Sequence, residues 1–291
     1  MSAHGSDQPP VALDSVLQMC HRPPCQDVLT LFSGGAEGVD AEFDDAMARF
    51  APSGQCIHWS YAGHRGFAAR SGGRVDVPNK VSAALCDPHL RDAAKQLHQS
   101  VPRNWHVLNL FRRNVCQALW AEAMFAITWE DLDARYPLRI GGGTKWAAQV
   151  YVNRFQPHGS EPAGSCQLWL YEVNTAVWKK WDCGCQCWNL VEQPPSLSAD
   201  MKFAGIGTKT PPAHAVQAIR DLFREVCCVQ LQDSARQVAA NSEVLGVRQK
   251  RADDGAAPSK QMVRRWRPKH REARAPAEVE HVETEPGTQS V

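Results

Sequence analysis

Three glycine-rich turns carry the residues best placed for chemistry. They are LTLF-SGGAEG, with Ser33, Gly34, Gly35 and Ala36; PLRI-GGGT, with Gly142, Gly143 and Thr144; and KFAGI-GTKT, with Gly205, Gly207, Thr208 and Lys209. In each, an apolar strand is expected to end in a glycine-rich turn, and a helix to begin. Glycine lets a backbone turn sharply and approach a ligand closely. The free N–H groups of the following helical turn then face that ligand, with the positive end of the helix dipole behind them. In an open parallel sheet such turns line one crevice. The clearest case is residues 31–50, LFSGGAEGVDAEFDDAMARF, read as a strand, a glycine turn and a helix start holding an anionic, nucleotide-like ligand. Glu37, Asp40, Glu42, Asp44 and Asp45 count against a simple phosphate cradle. Asp40 would either accept a hydrogen bond from a sugar hydroxyl or cap a turn. No loop fits G-x-x-x-x-G-K-(S/T), which excludes a standard NTPase loop.

Other candidates lie between the loops. His64, in a loop, suits an acid–base group or a donor to ligand, against a structural role. Arg112, Arg113 and Asn114 sit late in a helical pattern, where arginine suits bidentate phosphate recognition. Trp146 is either a stacking surface for a base or core. Cys183, Cys185 and Cys187 alternate as one face of a strand would. Zinc sites usually use C-x(2–4)-C pairs, so a strand of reduced, half-buried cysteines is the plainer reading, with Cys166 or Cys227-Cys228 the residues able to complete a metal site.

The elements that would position these groups follow from periodicity. DVLTLF, QCIHWSY, AMFAIT and MKFAGI are short apolar runs and predict strands. CQLWLYEV and AVWKKWD predict a hairpin through Asn174-Thr175. A helix is expected up to Phe50. Asp87-Pro88 predicts a helix start, continuing to about Ser100. A second begins near Asn104, with Trp105, Leu108, Phe111, Val115 and Leu119 on one face. Further helices are expected from Thr144 to Phe155 and over about 212–228, and residues 62–80 as a long loop. Alternating strands and helices predict an α/β fold with a Rossmann-like, mostly parallel sheet flanked by helices.

The 291 residues carry a net charge of +1, so no global field selects nucleic acid or membrane. No apolar run approaches the roughly 18 residues of a spanning helix, and MSAHGSDQPP lacks the form of a secretory signal. Eleven cysteines, an odd number, read as reduced thiols of the cytosol or nucleus. Residues 1–26 read as a flexible N-terminal segment, 27–230 as the domain and 231–291 as a disordered tail. Within the tail, 248–274 holds ten Lys or Arg against three acidic residues. That block is a solvated tail by default, or a nuclear-localisation or nucleic-acid-binding arm.

SGGAEGVD followed by HWSYAGH resembles the SGGAxGAD and H-(F/Y)-S-F-x-GH pattern of the SLOG superfamily. That group includes the DNA-processing protein A fold and the lonely-guy cytokinin-activating enzymes. NLFRRNVCQALWAEAMFAI, GGTKWAAQVYV and CQLWLYEVNTAVWKKW resemble successive blocks of the DNA-processing-A-like branch. The resemblance covers about residues 27–230 and implies a Rossmann-like sheet binding nucleotides, nucleotide derivatives or nucleic acid. In many relatives an AGIGSR-type strand, loop and helix comes first. Here the matching MKFAGIGTKTPPAHAVQAIRDLF comes last, implying a circular permutation in which 201–230 supplies the first strand and helix, inserted beside strand 27–32. Lys209 stands where relatives often have Arg. The lonely-guy motif PGGxGTxxE carries a catalytic Glu; here GGGTKWAAQ places Ala147 at that position, and neither Ala147 nor nearby Gln149 is a carboxylate.

The expected function is therefore binding of a nucleotide or nucleotide-derived ligand, as a sensor, with no cofactor assigned. The alternatives are a single-stranded-DNA-binding protein, and a hydrolase of a nucleotide sugar or phosphate bond using His64 or Asp40. No membrane partner is expected, and an oligomer is left open.

Overall fold

A strand covered on both faces reads as a near-continuous apolar run, and β1 (Thr30–Ser33) and β4 (Ala123–Thr128) are buried at every position, with hydroxyl residues only at their ends. The computed structural model describes residues 28–64, 73–155, 166–192, 195–224 and 226. After β1 come α1 (Val39–Phe50), β2 (Gln55–Ser60), β3 (Gly73–Asp76), α2 (Asn79–Gln96) and α3 (Trp105–Trp120). Beyond β4 lie α4 (Thr144–Asn153), β5 (Leu168–Glu172), β6 (Val177–Asp182), β7 (Cys187–Leu190), β8 (Lys202–Gly207) and α5 (Ala213–Leu222).

The strands form one sheet in the order β3-β2-β1-β8-β4-β5-β6-β7. Pairing is parallel from β3 across to β5; β6 and β7 continue it as antiparallel hairpin strands. Helices cover both faces. Val115 of α3, Leu90 of α2 and Val150 of α4 share one core with the sheet. Phe43 and Met47 of α1 share the other with Ile219 and Leu222 of α5. The chain has an α/β fold with a Rossmann-like, mostly parallel sheet. Among the described residues, no helix is long and apolar enough to cross a membrane.

Strand β8 enters between β1 and β4, in parallel register with both: Leu31 faces Phe203, and Phe203 faces Ala123. The last strand among the described residues thus occupies a central slot, between β1 and β4. Gly205 makes that slot possible for α1, because a Cβ there would run into the Phe43 ring.

Four expectations are corrected. The stretch 62–80 is not one loop, since it holds β3 and the start of α2. Helix α2 begins at Asn79 behind Pro78, not at Asp87-Pro88. Pro88 lies in its interior, where it removes one helical hydrogen bond; the continuous buried stripe of Val81, Cys86, Leu90 and Ala93 outweighs that loss. PLRI is not a strand of the sheet: Ile140 makes only an isolated bridge with Glu130. Residues 183–186 form a turn between β6 and β7, closed by the Asp182 carboxylate accepting from Gly184 N at 2.7 Å and Cys185 N at 3.3 Å. Cys185 and Cys187 are disulfide-bonded there, not reduced thiols along one strand face. The expectations for residues 1–26, for Cys227-Cys228 and for the tail 231–291 with its basic block fall outside the described residues.

Gly38 has φ +87°, and its missing Cβ would collide with the Lys209 and Thr208 carbonyls. Gly38→Ala should therefore lower unfolding stability in urea titrations by about 1–3 kcal/mol. Gly73→Ala, in open space at the sheet edge, should stay within about 0.5 kcal/mol of the parent.

Candidate functional site

The site lies where β1, β8 and β4 end and their following segments meet. Hydrogen bonds lock these segments together. Val39 N donates to Thr208 O at 3.1 Å, and Thr208 N donates to Ile127 O at 3.0 Å. The β8 turn is thereby pinned between the first glycine turn and the end of β4.

Helix α3 supplies the charge. Asn104 caps it, accepting from His106 N at 3.0 Å and Val107 N at 3.2 Å. Arg112, Arg113 and Asn114 are all buried, but successive helical residues diverge by about 100°, and the two arginines separate. Arg112 leaves the site. It forms a fork with Asp87 of α2, with both nitrogens at 2.7 Å, and also holds Asn109. The expected ligand role of Arg112 is replaced by one joining two helices. Arg113 instead turns to the first glycine turn. Its Nη1 donates to Gly34 O at 3.3 Å, while Nε and Nη2 donate to Asn114 Oδ1 at 3.2 and 2.9 Å. The guanidinium lies where a Cβ on Gly34 would be.

Asp40 closes the first turn from inside. Its Oδ2 accepts from Gly34 N at 3.1 Å and from Ala36 N at 3.3 Å. Ser33 Oγ accepts from Gly35 N at 3.0 Å. The amides of Gly34, Gly35 and Ala36 are thus occupied by the protein's own side chains, and Asp40 is a turn cap. Burial raises its carboxyl above the usual range; Arg113, 4.0 Å away, and the two amides act against that rise.

His64 forms the opposite wall. Its Nδ1 lies 3.2 Å from Ser60 Oγ and its Nε2 3.4 Å from Arg113 Nη1. Arginine only donates, so Nε2 is the acceptor and Nδ1–H points to Ser60. Burial, then the Arg113 charge, lower the His64 pKa to about 4. The ring is neutral near pH 7 and stacks 4.9 Å from Tyr61, whose hydroxyl lies 2.9 Å from His106 Nδ1.

These groups surround a cavity of about 310 Å³. The first turn contributes Ala36, Glu37 and Asp40, the second Gly143 and Thr144, and the third Gly207 and Lys209. Helix α3 adds His106, Leu110, Arg113 and Asn114, and His64 completes the wall. Lys209 Nζ sits at the rim, 3.0 Å from Glu37. Ser33, Gly34, Gly35 and Thr208 lie behind the lining as loop framework. Gly142 packs on Trp129, Gly205 on Phe43, and Trp146 is core against Phe111. Ala147 is fully buried, and Gln149 is hydrogen-bonded to Gln96 and Asn153 away from the cavity. The sequence reading missed His106 and Leu110; the successive spacing His106, Leu110, Arg113, by four and then three residues along one helix, was the available signal.

A larger cavity of about 740 Å³ lies between α4 and β6, walled by Leu138, Val152, Phe155 and Trp181. Its lining, among the described residues, carries no charged side chain, so the smaller one is where polar groups converge. Of the cysteines expected as metal candidates, Cys183 borders this larger cavity, and Cys185 and Cys187 are bonded to each other. No family model, curated protein or solved structure matches this chain.

The lowered pKa of His64 has a sign. Between about pH 6.5 and 4 the unfolded chain binds a proton at His64 that the folded chain refuses, so stability falls as pH falls through that window. Asp40, with a raised pKa, works in the opposite direction. Denaturation midpoints measured from pH 7 to 4.5 should therefore decline less steeply in His64→Gln than in the parent.

Proposed function

We propose that the cavity binds a nucleotide or nucleotide-derived small molecule, so that the protein acts as a binder or sensor and not as a glycosidic hydrolase. The observation that carries this reading is the convergence of all three glycine turns, with Arg113 and His64, on one cavity. Its volume is at the low end of the about 300–1,000 Å³ typical of ligand clefts, which suits a mononucleotide better than a dinucleotide. Because Asp40 holds the first turn's amides, the phosphate goes to the start of α4, where Gly143 and Thr144 line the cavity. The helix dipole supplies positive potential there, and Lys209 would exchange its Glu37 partner for the phosphate. Asp40 and neutral His64 face the sugar hydroxyls, and the His106–Leu110 wall takes the base.

The resemblance to the SLOG superfamily supports this reading, as does the slot of β8 beside β1, which fits a circularly permuted member of that group. A catalytic reading has less to draw on. Ala147 stands where the lonely-guy motif has its Glu, Asp40 Oδ2 is engaged by two amides, and His64 Nε2 faces Arg113. Localisation in cytoplasm or nucleus belongs to the same proposal.

Thermal-shift screening with 5′-mononucleotides should raise the melting temperature of the full chain. Lys209→Ala should weaken binding by about tenfold, in line with the about 1.5–3 kcal/mol of a hydrogen bond to a charged group, and leave the ligand-free melting temperature unchanged. No shift with any nucleotide, together with salt-dependent retention of single-stranded DNA, would replace this reading with the nucleic-acid one.

A further inference from the structure

We propose a second site, independent of the cavity: a buried zinc-type metal centre formed by Asp44, Cys56 and His58. Alternate residues of a strand share a face, so Cys56 and His58 of β2 both point to the layer of α1. Asp44 lies one helical turn beyond Asp40 on the buried side of α1. One oxygen, one sulfur and one nitrogen from the three residues lie within 4.8 Å of one another. His58 Nε2 and Asp44 Oδ1 are 3.2 Å apart. Zinc bonds of about 2.0–2.3 Å at tetrahedral angles separate neighbouring ligand atoms by about 3.3–3.8 Å; His58 and Asp44 already stand close to that separation, and the Cys56 sulfur lies within 4.8 Å of both.

The donor types choose the ion class. Thiolate, imidazole and carboxylate together suit zinc and similar borderline metals; magnesium and calcium require mostly oxygen. The three residues are 1%, 7% and 0% exposed. As ligands, a thiolate and a carboxylate would bring two negative charges into that low-dielectric layer, and a dication would balance them. Three protein ligands leave a fourth position for water or for a second Asp44 oxygen. The ion would clamp α1 onto β2. Asp40, the cap of the first glycine turn, sits on the same helix, so the centre would hold in place the helix that closes the turn.

The test uses the full-length protein, purified under reducing conditions. Elemental analysis should find one equivalent of zinc. Removal by chelator should lower the melting temperature, and zinc should restore it. Cobalt titrated into the stripped protein should give a thiolate-to-cobalt charge-transfer band at one equivalent. That band should vanish in Cys56→Ala and persist in the double variant Cys185→Ala, Cys187→Ala. A stripped wild-type protein that stays folded and shows no cobalt–thiolate band overturns the proposal. So does a band that survives Cys56→Ala. If Cys56→Ala fails to fold, His58→Gln takes its place, and the wild-type zinc content and cobalt spectrum decide alone.

Discussion

Arg113 brings a permanent positive charge to the carboxyl edge of the sheet, where only 8% of the residue is exposed. Taking such a charge out of water costs several kcal/mol unless partners compensate it. The first glycine turn is built around that requirement. Gly34 has no side chain, so the guanidinium can lie against its backbone and donate to its carbonyl. Asp40 provides the counter-charge 4.0 Å away and binds the amides of the same turn. Asn114 and His64 accept the remaining donors. One buried charge thereby specifies the turn, the first residues of α1 and the His64 tautomer at once. It also joins the two helical layers, because Arg113 belongs to α3 on one face of the sheet and Asp40 to α1 on the other.

Topology explains why these groups meet. From β1 the chain moves outward through β2 and β3, then returns to β4 on the other side of a one-strand gap. Loops on either side of such a reversal diverge and leave a crevice. Strand β8 fills the gap and adds its own turn to the crevice, which is why a segment from the far end of the chain lines the cavity with the first turn. The link is structural as well as spatial. Thr208 accepts from Val39 and donates to Ile127, so the β8 turn completes the hydrogen bonding of its neighbours.

The sheet was legible in the sequence because its central strands are short apolar runs, and a strand formed within each of DVLTLF, QCIHWSY, AMFAIT and MKFAGI. The exceptions have local causes. GRVD has no apolar alternation; β3 is a largely exposed edge strand whose one strand partner among the described residues is β2. Asp87-Pro88 has the composition of a helix start, yet Asp87 spends its carboxylate on Arg112, a partner 25 residues away that no local pattern reveals. The site was legible at the level of loops but not of roles. Glycine spacing marked the three turns that converge. It gave no sign that Asp40 would fold back onto Gly34 and Ala36, nor that adjacent Arg112 and Arg113 would serve different helices. The cysteines at 183–187 misled because strand alternation and a tight turn produce the same C-x-C-x-C spacing.

Self-occupation of the first turn changes the chemistry available to a ligand. A glycine turn with free amides attracts anions through its backbone; this one presents a carboxylate already hydrogen-bonded and flanked by a guanidinium. The pair is nearly neutral in sum, so a phosphate gains little there and would meet the Asp40 charge. A neutral polar group gains more, because Asp40 can accept from it without a competing full charge entering the pocket. Positive potential without a side-chain cap is found across the cavity at the start of α4, whereas Lys209 on the rim is paired with Glu37. The cavity thus has its hydrogen-bond acceptor at the first turn and its anion-attracting side at the second. A ligand with hydroxyls at one end and a phosphate at the other matches that division, and an inorganic anion alone matches only half of it.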